Sequence, residues 1–242
     1  MLSGLQKIAA TLKNAQTPTT YNASLPMLIK VLAKLKGDMY LLQIGAQKIE
    51  TRSQKQLNVG ERYWGEMGRS SLGHIALKNL IAQPKIIEMF HNAPLKFSLQ
   101  NLQEMGEQQD MFEGFKEFLT HKLADSSSRE EFIFLGNLLL GLKQGVLSLV
   151  ISEKDEVLQM KKSGTNKVRF SAIMPILGIV EGEIGVYKDG NTLELKVLYE
   201  STKSLLERNL TSLRGFKVGK IVIDTHLIPL YEYKEALLDV RG

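Results

Sequence analysis

Few residues able to do chemistry are grouped in this 242-residue chain. Its histidines are His74, His91, His121 and His226, and no two stand at the helical spacing that sets a pair of imidazoles around a metal. In "HKLADSSS", His121, Asp125 and Ser126 are neighbours in sequence. Catalytic triads assemble from distant segments around an oxyanion hole, so His121 and Asp125 are expected as a helix-surface pair instead. "GIVEGEIG" brings Gly178, Gly182 and Gly185 close together. No helix is predicted after them and no Gly-Lys-Ser/Thr is present, so this is neither a dinucleotide fingerprint nor a phosphate loop, and strand geometry explains the glycines. Glu130 and Glu131 fall at a predicted helix start, where carboxylates favour the macrodipole. These readings predict a protein without enzymatic activity, metal or cofactor.

Nucleic acid is the next class to weigh. "QKIETRSQKQ" and "RYWGEM" interleave Lys48, Arg52 and Lys55 with Tyr63 and Trp64, the mixture with which small barrels stack and hold single strands. The same stretch carries Glu50, Glu61 and Glu66, and the whole chain has 31 basic against 26 acidic residues. A nucleic-acid footprint clusters its charge, so this reading ranks below protein binding. There is no cysteine, which excludes disulfides and thiolate metal sites. "MLSGLQKIAATLKNAQ" spaces its apolar residues as on a short amphipathic helix, without a continuous apolar h-region. The longest apolar stretch, "FIFLGNLLLGL", is too short to cross a bilayer. A soluble cytoplasmic protein without membrane insertion is expected.

The elements that must position these residues change character along the chain. Residues 1–26 predict a helix and a polar linker. Residues 27–70 predict four short strands with glycines at the turns, a small β-unit or half-barrel. From Leu72 to Gly145 the period is helical: "LGHIALKNLIA" sets Leu72, Ile75, Ala76 and Leu80 on one face, and "DMFEGFKEFLTHKLAD" does the same for Met111, Phe115, Phe118 and Leu119. Ser128 and Glu131 form a predicted capping box for "REEFIFLGNLLLGLKQG", with Gly145 as its stop. That helix is apolar nearly all round. Phe132, Leu135, Leu139 and Leu142 make one stripe for the core, which leaves Ile133 and Leu140 as candidates to dock a partner helix. After Gly145 strands return, with a hairpin at "KDGN", a helix capped by Ser201 or Thr202 and ended by Gly215, and a last strand "KVGKIVID". The expected class is α+β: a small N-terminal β-unit, a central helical bundle, and a C-terminal antiparallel sheet with a helix packed on it, the last two within residues 71–242.

One motif adds to this. "MPILGIV" runs from an apolar strand into a turn, and is followed by an alternating strand, "KDGN", a second alternating strand and a leucine-rich helix. Over residues 167–224 this order resembles the C-terminal domain of the flagellar hook-length control proteins. Pro175, Leu177, Gly178 and Val180 stand at the family's Pro-x-x-Leu-Gly-x-Val turn, one residue shorter here, and Leu206, Leu210, Leu213 and Arg214 fit its helix. The family's long low-complexity ruler does not occur in these residues, and an extended chain spans only ~3.5 Å per residue. Together with the predicted helices, the resemblance therefore implies a small flagellar co-chaperone that binds the flagellin-export chaperone or an export-gate component. Hook-length control through the export gate is the alternative it implies, and single-strand nucleic-acid binding the alternative outside it.

Overall fold

The computed structural model describes residues 25–69, 75–91, 93–98, 100, 101, 104, 111–152, 156–213 and 215–234. The expected N-terminal helix lies outside them. Among the described residues the strands form two sheets. The first holds β1 (Met27–Lys34), β2 (Met39–Ile44), β3 (Gln47–Arg52), β4 (Arg62–Arg69) and β5 (Ile75–Ala82) in the order β3-β2-β1-β4-β5. The second runs β11-β10-β9-β8-β7-β6, from β6 (Val146–Ile151), β7 (Glu156–Lys162), β8 (Lys167–Met174), β9 (Gly178–Tyr187), β10 (Gly190–Val197) and β11 (Phe216–Ile223). Among the described residues the named helices are α1 (Ile86–His91), α2 (Met111–Ala124), α3 (Arg129–Lys143) and α4 (Glu200–Arg208), with a 3-10 turn at Leu210–Ser212, and Gln100, Asn101 and Glu104 are also helical.

The described residues divide into two compact units, neither continuous in sequence. One takes Met1–Gln83, Ile176–Gly178 and Lys188–His226; the other takes Pro84–Pro175, Ile179–Tyr187 and Leu227–Gly242.

In the first unit the strand spacing of β1 and β2 is plain alternation. It gathers Ile29, Val31, Tyr40, Leu42, Ile44 and Tyr63 into one buried cluster. The helix expected over 72–82 is instead β5, paired antiparallel with β4. Its helical look has a specific cause. Trp64 faces Ile81 and Glu66 faces Lys78, so Asn79 and Leu80 together oppose Gly65. That is a β-bulge, and Asn79 adopts φ +53, a left-handed conformation that asparagine tolerates better than most residues. The extra residue shifts the alternation by one, so Leu77 and Leu80 pack on the same core although three residues apart. Gly65 leaves room for the Leu80 side chain, since a Cβ there would stand 2.6 Å from it.

The second unit corrects the expected central bundle. It has two longer helices, α2 and α3, joined through residues 125–128, and the six-residue α1. Helix α3 packs on α2 and also on β6, and α1 lies on β7. Strand β6 is buried at every position, so it is covered on both faces. The architecture is mostly β, two sheets, with helices laid on strands of the second. Ser128 caps α3 by accepting from the Glu131 amide at 3.1 Å, while Glu131 reaches back to the Ser127 amide, one residue earlier than a capping box would. Gly145 follows the end of α3 with φ +77.

The C-terminal sheet is mixed rather than antiparallel. Strands β6, β7 and β8 pair antiparallel, but β10 and β11 pair parallel, because α4 carries the chain back across them as a crossover. Helix α4 begins at Glu200 after Tyr199, which supplies no side-chain cap, and ends at Arg208 rather than at Gly215. Ser201 and Thr202 are used elsewhere, as described below.

Between β8 and β9 the chain turns at residues 175–177 and enters β9 at Gly178 with φ +78. A Cβ at Gly178 would also stand 3.1 Å from the Leu198 side chain and 3.5 Å from the Tyr199 ring. Gly178→Ala is expected to lower stability by about 1–3 kcal/mol in urea unfolding, from backbone strain plus crowding. Gly164→Ala, where the nearest atom is 3.8 Å away, should change it by less than about 0.5 kcal/mol.

Candidate partner-binding surface

The motif residues gather around one turn. Pro175 opens it, Leu177 is buried within it, and Val180 is buried at the start of β9. The Thr202 hydroxyl, itself fully buried, donates to the Leu177 carbonyl at 3.0 Å and ties the turn to α4. Leu206 is half-buried on α4, Leu210 lies in the 3-10 turn and Leu213 ends it, so the predicted leucine stripe is not one continuous helix face. Arg214 lies outside the described residues. These positions build the fold and present no open site.

A second knot in the first unit uses Ser201, the residue before Thr202. The Glu66 carboxylate accepts from the Ser201 hydroxyl at 2.7 Å and from the Asn79 amide at 2.8 Å. The Tyr199 hydroxyl donates to the Asn79 carbonyl at 3.1 Å. Burial pushes the Tyr199 phenol well above its usual value, and the Glu66 charge adds to the rise. The arrangement holds the β5 bulge against the start of α4.

Of the stripe predicted for the core on α3, Leu135 is buried, Leu139 and Leu142 are half-buried, and Phe132 is exposed. Phe134, Leu135, Asn137, Leu138 and Gly141 are buried, whereas Phe132 is 43% exposed. Ile133 and Leu140 are half-buried along one flank. Phe132 is more exposed than either.

An apolar groove lies where residues 93–98 meet α2. Phe97 bridges to β6, its amide donating to the Val150 carbonyl at 2.7 Å and its carbonyl accepting from the Ser152 amide at 3.0 Å. Its ring meets Phe115 edge-on at 5.5 Å, and Phe115 stacks with Phe118 at 6.2 Å. Leu95, Phe97, Phe115, Phe118 and Gly114 line an open groove of about 360 Å³, with Lys96 and Glu104 also at its wall. Phe118 is 39% exposed. Such a groove can receive an apolar anchor from a partner. The sequence signal for it was thin: "NAPLKFS" is apolar but short, and its bridge to β6 depends on distant pairing.

The other candidates separate. His121 and His226 are exposed, His74 lies outside the described residues, and nothing is described of the His91 side chain. No group of three His, Cys, Asp or Glu that could hold a metal occurs among the described residues. Lys48, Arg52 and Lys55 are exposed, but Tyr63 is 3% and Trp64 0% exposed, so neither ring is open to stack on a base. No helix of the described residues is long and apolar enough to cross a membrane. Compared with known protein families, curated proteins and solved structures, the chain matches none.

The Tyr199 phenol gives a pH dependence. Its folded value is raised, so the stability it lends is complete below the ordinary phenol range and is lost as pH climbs above about 10, where the unfolded chain ionises first. Tyr199→Phe should cost about 1 kcal/mol near neutrality through the lost hydrogen bond. The same variant should lose stability less steeply than the parent above that pH, as read by urea unfolding at stepped alkaline pH.

Proposed function

We propose that this chain is a non-enzymatic protein of bacterial flagellar assembly, acting in the cytoplasm as a co-chaperone that binds a flagellin-export chaperone or an export-gate component. The observation that carries the reading is the sequence order from Pro175, Leu177, Gly178 and Val180 through hairpin, helix and last strand, which resembles the hook-length control proteins. Support for a binding role comes from the groove beside Phe118 and from the exposed Phe132, apolar side chains of the second unit that a partner would cover. Hook-length control by contact with the export gate rests on the same motif and is separated by the choice of partner. Single-strand binding loses its stacking platform with Tyr63 and Trp64 buried.

Titration calorimetry against the flagellin-export chaperone, at two salt concentrations and two temperatures, tests the reading. Saturable binding with a negative heat-capacity change and little salt sensitivity is expected of an apolar interface. Phe118→Ser should weaken it about tenfold or more if the groove is the anchor site, and Phe132→Ser, Ile133→Ser and Leu140→Ser test the flank of α3. Absence of heat and of co-elution with both the chaperone and the export-gate protein would sink the proposal, and a steep salt dependence against single-stranded DNA would favour the nucleic-acid alternative.

A further inference from the structure

The strongest unassigned feature lies inside the second unit, where the chain ends its described course. Leu227–Lys234, "LIPLYEYK", is extended and lies outside the named strands. Leu227, Pro229 and Tyr231 are buried while Ile228 and Glu232 are exposed, the alternation of a strand. Yet two side chains take the place of a partner strand's backbone. Gln159 Nε2 donates to the Tyr231 carbonyl at 2.8 Å, and Gln159 Oε1 accepts from the Tyr231 amide at 3.2 Å. Asn137 Nδ2 donates to the Lys234 carbonyl at 2.9 Å, and Asn137 Oδ1 accepts from the Lys234 amide at 2.8 Å. Each primary amide thus reads both polar groups of one residue, three residues apart along the segment.

The surroundings are fitted to the same segment. Asn137 and Gln159 are both 0% exposed, on a helix and on an interior strand, where an amide is tolerated only with its partners in place. Gln159 also donates to Ser148, and Ser148, Gln159 and Ser171 stand opposite one another on β6, β7 and β8 as a polar row across an apolar sheet. Gly141, one turn after Asn137, leaves the space that the Tyr231 ring fills: a Cβ there would stand 3.4 Å from the ring and 3.2 Å from the Val146 carbonyl. Tyr233 packs edge-on against Phe90 at 4.9 Å and against Tyr231 at 5.4 Å. The aromatic pair supplies apolar anchoring, and the two amides read backbone, a combination independent of most side chains of the bound segment.

We infer that this cleft, built by Phe90, Asn137, Gly141, Ser148 and Gln159, is a binding site for an extended peptide of the pattern Tyr-x-Tyr, and that the chain's own segment Leu227–Lys234 (the tail) fills it in cis. A partner carrying such a segment competes with the tail for the same two amides, and the tail sets the threshold that the partner must overcome. Thr225 and His226, just before the tail, are exposed, and His226 donates its amide only to Asp224 two residues back. This inference stands apart from the flagellar assignment and does not require it.

The test keeps every residue of the tail present. A protease recognition sequence is inserted between Thr225 and His226 and cut only after folding. A fluorescent peptide of residues 227–234 is then added and its anisotropy followed, with unlabelled peptides as competitors. Saturable exchange at micromolar peptide is expected, with peptides carrying Tyr231→Ala or Tyr233→Ala at least about tenfold weaker, and with Gln159→Ala in the protein weakening uptake about tenfold. No exchange, equal competition by a scrambled peptide, or loss of the folded circular-dichroism signal on cutting would each make the tail a fixed part of the core and overturn the inference. In the uncut protein, hydrogen exchange gives an independent reading. The Tyr231 and Lys234 amides should exchange by local opening, faster than the amides of β7, and exchange of both only at the rate of global unfolding would overturn it equally.

Discussion

A primary amide at zero exposure on an interior strand is the constraint around which the second unit is organised. Gln159 would cost about 1–3 kcal/mol for each polar atom left without a partner. The structure meets that demand with backbone from a segment 72 residues away. Asn137 repeats the arrangement over a separation of 97 residues. Satisfying these groups fixes the course of Leu227–Lys234, and that course places Tyr233 against Phe90, Phe134 and Tyr231. The apolar packing there follows from where the polar groups must be met.

The first unit obeys the same rule with different residues. Glu66 gathers Asn79 and Ser201, and the Tyr199 hydroxyl answers the Asn79 carbonyl, so the β5 bulge and the start of α4 are held by one polar knot. Thr202 meanwhile answers the carbonyl of Leu177 in the turn that carries the hook-length-control-like motif. The motif residues therefore act as joints of the framework. Elsewhere, Phe118 and Phe132 bring apolar rings to solvent.

Local chemistry made much of this legible from the sequence. The strands β1 to β4 follow from alternation and from glycine at their turns, Ser128 starts α3 because its hydroxyl meets an amide three residues on, and Gly178 marks a turn because the backbone there needs positive φ. The expected central bundle misled in part because a single extra residue at Asn79 gives a strand the three-residue spacing of a helix. The caps Ser201 and Thr202 misled for a related reason: a hydroxyl near a helix start can serve the helix or a distant partner, and here partners 135 and 25 residues away win. The groove at Phe118 was half visible, since the apolar face of α2 could be read but the bridge of Phe97 to β6 could not.

By itself, then, the sequence determined those features whose partners lie within a few residues: hairpins, the turn at Pro175 to Gly178, the start and stop of α3, and the strand character of residues 146–197. Tertiary structure decided the parallel pairing of β10 with β11, the strand state of residues 75–82, the outward turn of Phe132, and the capture of the tail by two amides. Each of these is a choice between states of similar local energy. Such a choice is settled by hydrogen bonds and burial that exist only once remote segments have met.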